Sequence, residues 1–92
     1  MIKSFRCKDT EALFSHRRVK RFAACERAAL RKLGQLEISG SLQDLRIPPS
    51  NHLEALIGDR NGQYSIRINN RWRVCFEWRD GDAWNVEIVD YH

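Results

Sequence analysis

The hydrophobic positions change period partway along the chain. Phe22, Cys25, Ala29, Leu33 and Leu36 recur at intervals of three and four, which predicts an amphipathic helix. Glu26, Arg27, Arg31, Lys32 and Gln35 fall on its other face. A shorter helix carrying Leu13 and Phe14 precedes it, with Asp9 or Thr10 as its N-cap, and Ile2 to Arg6 reads as a short strand. The stretch ISGSLQDLRIPPSNH, with Gly40 and the Pro48-Pro49 pair, then interrupts regular structure. From residue 53 the period is two. Leu53 to Ile57 reads as a short strand, and Tyr64, Ile66 and Ile68 alternate with Ser65 and Arg67. Trp72, Val74, Phe76 and Trp78 alternate with Arg71, Arg73, Cys75, Glu77 and Arg79, and Trp84, Val86 and Ile88 complete the series. The three tryptophans share the apolar parity and read as packing. The pattern predicts an α+β fold in which two N-terminal helices cover one face of an antiparallel meander. No repeat or linker divides residues 1–92, so a single domain is expected.

Alternation also constrains the register. Keeping even positions inward requires Asn69-Asn70 in a turn that sets Ile66 opposite Val74. A loop around Asp80-Gly81-Asp82, three residues rather than two, would set Phe76 opposite Val86. On the outer face Arg67 then falls opposite Arg73, while Tyr91 falls opposite Arg71 and diagonal to Arg73. Like charges directly opposite one another destabilise a sheet. Either an anion sits between the two guanidiniums, for which phosphate is the best geometric match, or both side chains splay into water. The loop before the Arg67 strand would bring Arg60 to the rim, and the last strand would deliver Asp90, Tyr91 and His92 beside the arginine pair. Strict alternation puts Asp90 and His92 on the face opposite Tyr91. Their convergence would need the strand to end, bulge or twist near residue 90.

Cys7, Cys25 and Cys75 are odd in number and widely spaced, which predicts free, mostly buried thiols rather than a disulfide framework or a zinc site. No apolar stretch approaches the ~20 residues of a membrane span and no secretory signal is visible, so a soluble, cytoplasmic protein is expected. The net charge of +4 is unevenly distributed. Residues 1–32 hold ten Lys/Arg against three Asp/Glu, a net of +7; residues 33–92 hold six against nine, a net of −3. Arg17, Arg18, Lys20 and Arg21 precede the second helix, where cations oppose the helix dipole. They read as a grip on polyanion phosphates or as a solvated loop. Cations beside proton-transfer groups suit phosphodiester cleavage, which needs a base, an acid and charge stabilisation. With RNA the 2′-hydroxyl is an internal nucleophile, and no metal-ligand spacing is present, so neither metal nor cofactor is expected.

The MIKSF start, the GDRxGxxSIRxxxxWRxxF stretch from Gly58 to Phe76, and the terminal Asp-Tyr-His resemble the HigB-type toxins of bacterial toxin–antitoxin systems, within the RelE/ParE superfamily. The LEALxGxRxGQxSIRIN wording is especially similar to the GraT branch. The resemblance implies a microbial-ribonuclease-like fold and metal-free cleavage of mRNA in the ribosomal A site. It further implies neutralisation by a HigA-type helix-turn-helix antitoxin, with operator DNA reached only through that complex. Carried onto this chain, Arg73 would stabilise the phosphate, with Asp90, Tyr91 and His92 as the C-terminal part of the site. Well-known members read L-H-P-L-K-G-D-R where this chain has Leu53 to Arg60. Glu54 and Ile57 thus replace their catalytic His and nearby Lys. Glu54 can serve as a base, His52 is a possible substitute, and the acid and base assignments stay open. Arg60, Arg67 and Arg71, together with the basic run, are the candidate RNA contacts. Two other functions fit the scaffold: a non-cleaving ribosome or RNA-binding inhibitor, and a ParE-like toxin acting on DNA gyrase. The terminal Asp-Tyr-His favours the nuclease over the latter.

Overall fold

The computed structural model describes residues 1–91. Its core lies between two helices, α1 (Lys8–Phe14) and α2 (Glu26–Ile38), and one face of a four-stranded antiparallel sheet. The strands are β1 (Glu54–Ala55), β2 (Gln63–Arg67), β3 (Trp72–Arg79) and β4 (Asp82–Asp90), adjacent in sequence order. This is the α+β architecture that the change of period implies. Leu13, Phe22, Leu33 and Leu36 from the helical side meet Ile66, Val74, Phe76 and Val86 from the sheet, all essentially inaccessible to water. Phe22 meets Trp72 edge to face with ring centroids 5.3 Å apart, which pins the entry to α2 against the start of β3.

Local departures from the sequence reading have physical causes. Cys7, not Asp9 or Thr10, occupies the N-cap of α1 and makes no side-chain cap bond. Thr10 lies inside the first turn, fully buried, and its hydroxyl accepts a hydrogen bond from the Ile88 amide at 3.0 Å. The second helix opens as a 3-10 segment, Lys20–Cys25, before becoming α-helical at Glu26. Ile2 to Arg6 is not a full strand but makes two parallel bridges to β4, Ile2 with Ala83 and Phe5 with Val86. Of the expected strand Leu53 to Ile57, only Glu54 and Ala55 pair, because a 3-10 turn at Gly58–Arg60 carries the chain away and leaves Ile57 exposed.

Register across β2 and β3 is the expected one, with Ile66 opposite Val74 and Arg67 opposite Arg73. The β3–β4 connection is shorter than expected. Arg79 pairs with Asp82, so the turn is the two residues Asp80-Gly81, both at positive φ (53° and 78°), the backbone of a type I′ hairpin. The missing loop residue reappears inside β4. Asn85, at φ 52°, and Val86 together oppose Phe76, a bulge that restores pairing of Cys75 with Glu87. Before the bulge the parity is inverted. Ala83, not Trp84, therefore faces the core, and Trp84 lies half-buried under Arg79. The expectation that all three tryptophans pack inward fails at Trp84 for this reason.

The segment between α2 and β1 is tied down by Asn51, which is fully buried. Its amide donates to Gln35 Oε1 at 2.9 Å and the Leu45 carbonyl at 3.1 Å, and its oxygen accepts from Lys32 Nζ. Loop and helix are thereby clamped one residue before His52. Among the described residues no helix is long and apolar enough to cross a membrane.

Candidate active site

The helices cover the even-numbered face of β2 and β3. The opposite face presents Glu54, Ser65, Arg73, Cys75, Glu87 and Tyr91, a set fixed by the observed register. Arg73 is its centre. Only 8% of the residue is exposed, so each donor needs a partner. Nε donates to Ser65 Oγ at 2.8 Å, and Nη2 to the His52 carbonyl at 2.5 Å. A carboxylate oxygen of Glu54 sits 3.1 Å from Nη2. His52 contributes through its backbone: left-handed torsions (φ 46°, ψ 56°) aim the carbonyl at the arginine, while its side chain is exposed. The fork is thus oriented by fixed groups at Ser65 and His52, and by a more exposed one at Glu54.

Arg67 stands opposite Arg73, and its guanidinium donates to Asn70 Oδ1. Arg60 reaches over the same face from the 3-10 turn. It donates to Gln63 Oε1 at 3.0 Å and lies 3.5 Å from Glu87 Oε1. Tyr91 lies over Arg73, its ring centroid 5.7 Å from the guanidinium carbon, and its hydroxyl is 3.9 Å from Cys75 Sγ. Burial, and next the Cys75 thiol, push the phenol above the ordinary tyrosine value, against the lowering fields of Arg60 and Arg73. Burial likewise pushes up the Cys75 thiol. Both groups keep their protons at neutral pH.

Asp90 takes a different position. β4 continues through it without the bend that convergence would need, and its pairing with Trp72 puts it on that residue's side of the sheet. There it pairs with Arg71 Nε at 3.0 Å, while the Tyr91 amide donates to the Arg71 carbonyl at 2.6 Å. Asp90 and Arg71 together hold the strand end from which Tyr91 projects. His92 lies outside the described residues. Arg17, Arg18 and Lys20 are exposed and without an ion pair among the described residues, whereas Arg21 is engaged by Asp9 at 2.9 Å. A cavity of about 150 Å³ among His16, Arg17, Arg18 and Glu26 opens on this helical side.

Sequence reasoning missed Ser65, the His52 carbonyl and Glu87. Ser65 and Glu87 have the right parity on strands already identified, so enumerating every odd position would have found them. A backbone carbonyl leaves no side-chain signal. Among the described residues no group of three His, Cys, Asp or Glu is placed to hold a metal ion.

A rigidly held guanidinium beside a second arginine, a carboxylate and a protonated phenol has the chemistry to bind an oxyanion and to transfer protons at its edge. Residues 3–92 match the family model described as the RelE-like toxin of type II toxin–antitoxin system HigB. The chain belongs to this HigB-like toxin family. Toxin HigB-1 of Vibrio cholerae is 42% identical over 66 residues, covering 72% of this chain and 70% of that protein. An uncharacterized protein of Haemophilus influenzae is 39% identical over 58 residues, covering 63% and 57%. The protein named Endoribonuclease HigB in Proteus vulgaris is 42% identical over 40 residues, covering 44% of each chain. Its fold and its place in a toxin–antitoxin system are thus those of the HigB-like toxins.

Proposed function

We propose that this toxin is a ribosome-dependent endoribonuclease that cuts mRNA without a metal ion. The observation that carries the reading is Arg73, held nearly out of water with its fork oriented by Ser65 and the His52 carbonyl and its remaining partner an exposed carboxylate. A phosphodiester competes for that last position. When phosphate takes it, Glu54 (side chain 58% exposed) is released next to the bound group. Its carboxylate accepts the proton of the 2′-hydroxyl as that oxygen bonds to phosphorus. The bond from phosphorus to the 5′-oxygen breaks, and the Tyr91 hydroxyl, protonated at neutral pH, supplies the leaving oxygen with its proton. Arg73 and Arg60 take up the charge that grows on the phosphoryl oxygens. The products are a 2′,3′-cyclic phosphate and a 5′-hydroxyl. His92 is a second candidate acid by its chemistry. Arg17, Arg18 and Lys20 supply phosphate contacts for a ribosomal RNA partner. The Proteus vulgaris relative's name supports the nuclease class, and the family implies a HigA-type antitoxin as the protein partner.

Incubating ribosome-bound mRNA with purified toxin and mapping the ends tests this. Discrete in-frame cuts bearing 2′,3′-cyclic phosphate or its hydrolysis product are expected with ribosomes and not with naked mRNA. Cuts ending in a 3′-hydroxyl would indicate attack by water and overturn the mechanism. Stalled translation with intact mRNA would assign the protein to non-cleaving inhibitors instead.

A further inference from the structure

Glu87 sits in the middle of the outer face, directly opposite Cys75, and its side chain is 16% exposed. One of its oxygens, Oε2, is buried and accepts no hydrogen bond among the described residues; the Arg6 Nε is 3.5 Å away. Oε1 lies 3.5 Å from Arg60 Nη2. A carboxylate withdrawn from water and incompletely hydrogen-bonded is costly, and an apolar side chain opposite Cys75 would avoid that cost. What the carboxylate does is draw two guanidiniums inward over the sheet. Arg6 also contacts Glu77, at 3.6 Å, so it has a second anchor. Arg60 has none: among the described residues Glu87 is its only carboxylate partner, assisted by Gln63.

The backbone does not fix Arg60 either. It rides on a one-turn 3-10 segment bounded by Gly58 and Gly62, both at positive φ. Arg73, by contrast, is rooted in the central strand β3 and held by Ser65. We infer that Glu87 is a positioning residue, whose carboxylate holds the Arg60 guanidinium over the sheet beside Tyr91 and Arg73 so that a scissile phosphate meets two aligned forks. Glu87 never touches the substrate. It does for Arg60 what Ser65 does for Arg73. The inference rests on the nuclease reading for its kinetic consequence, but not for its structural one.

The isosteric Glu87→Gln variant separates the two. Arginine Nε–Hε NMR of the free protein reads how tightly each guanidinium is held. In the parent, Arg60 should give a protected, ordered signal, lost in Glu87→Gln and kept in Glu87→Asp, while the Arg73 signal is unchanged in all three. Single-turnover cleavage of ribosome-bound mRNA supplies the second readout. Glu87→Gln and Arg60→Ala should each slow the cleavage step by about 10- to 100-fold, as expected for a misplaced charge-stabilising group. The double variant should be no slower than Arg60→Ala alone. An Arg60 signal equally ordered without the Glu87 carboxylate overturns the inference, and so does additivity of the two rate losses. A parent protein that cuts nothing would remove the nuclease reading instead, and the NMR comparison would still decide what Glu87 does.

Discussion

Arg73 belongs at once to the candidate site and to the fold, because its guanidinium joins β3 to β2 and to the backbone at His52. Arg73→Ala should therefore abolish cleavage and also lower stability by about 1–3 kcal/mol, the range for stranding buried hydrogen-bond partners. Arg73→Lys keeps the charge but not the fork, so we expect a milder loss of melting temperature with nearly the same loss of rate. Growth inhibition compared with thermal melting checks both. Full toxicity in a folded Arg73→Ala protein would remove the residue from the mechanism. Tyr91→Phe asks a narrower question, since the ring over Arg73 stays and only the hydroxyl goes. A drop of about 10²–10⁴-fold in single-turnover rate is expected if that hydroxyl is the acid. Its pH dependence has a definite sign. Burial, then the Cys75 thiol, raise the folded phenol above the ordinary value of 10.0, and an acid works only while protonated. The Tyr91-dependent rate should persist as pH rises and fall only above about 10. Stability should decline there too, because the unfolded chain loses that proton first. An alkaline limb near pH 7 that is unaltered in Tyr91→Phe would point to another acid.

At the scale of elements, the β3–β4 hairpin depends on one turn residue. Gly81 sits at φ 78°, and a Cβ added there would meet the Gly40 carbonyl at 3.4 Å. Gly81→Ala should cost about 1–2 kcal/mol, read as a shift in denaturation midpoint, from the left-handed backbone alone. An unchanged midpoint would mean that the turn relaxes to another type. This hairpin also marks where sequence reading succeeds and stops. The Arg67–Arg73 register was legible because the alternating runs on each side of Asn69-Asn70 leave one pairing that keeps Ile66 and Val74 inside. Trp84 was misplaced because a two-residue turn plus a bulge at Asn85 gives the same downstream register as the longer loop. The two solutions differ only from residue 82 to residue 85. Period alone cannot choose between them, and the Ser4 hydroxyl that accepts from the Asn85 amide comes from far away in the chain. Arg60 and Tyr91 were legible on this face by type and position, and Glu54 through the family resemblance. The group that orients Arg73 at His52 is main chain, and Asp90 turned to Arg71 because β4 runs straight to its end.

Across the whole molecule, charge is sorted by element. The helical side carries Arg17, Arg18 and Lys20 without acidic partners among the described residues, whereas arginines 6, 60, 71, 73 and 79 each face a carboxylate. Exchanging Arg17, Arg18 and Lys20 together for Gln should weaken ribosome binding and flatten its dependence on salt by up to about three phosphate contacts, leaving the cleavage step of the bound complex unchanged. Equal salt slopes for parent and variant would assign those cations to solvent. The Phe22–Trp72 contact keeps this basic segment near the strand ends that carry Arg71 and Tyr91, so one approach can engage both. The Glu54 carboxylate resting on Arg73 has a practical consequence for anyone assaying such a protein. The fork already holds an anionic group, so on the proposed mechanism phosphate or sulfate in a buffer, or a carboxylate-bearing inhibitor, should compete for the same seat. Activities measured in phosphate buffer should read low, and rise when the buffer ion is exchanged for a bulky zwitterion at equal ionic strength.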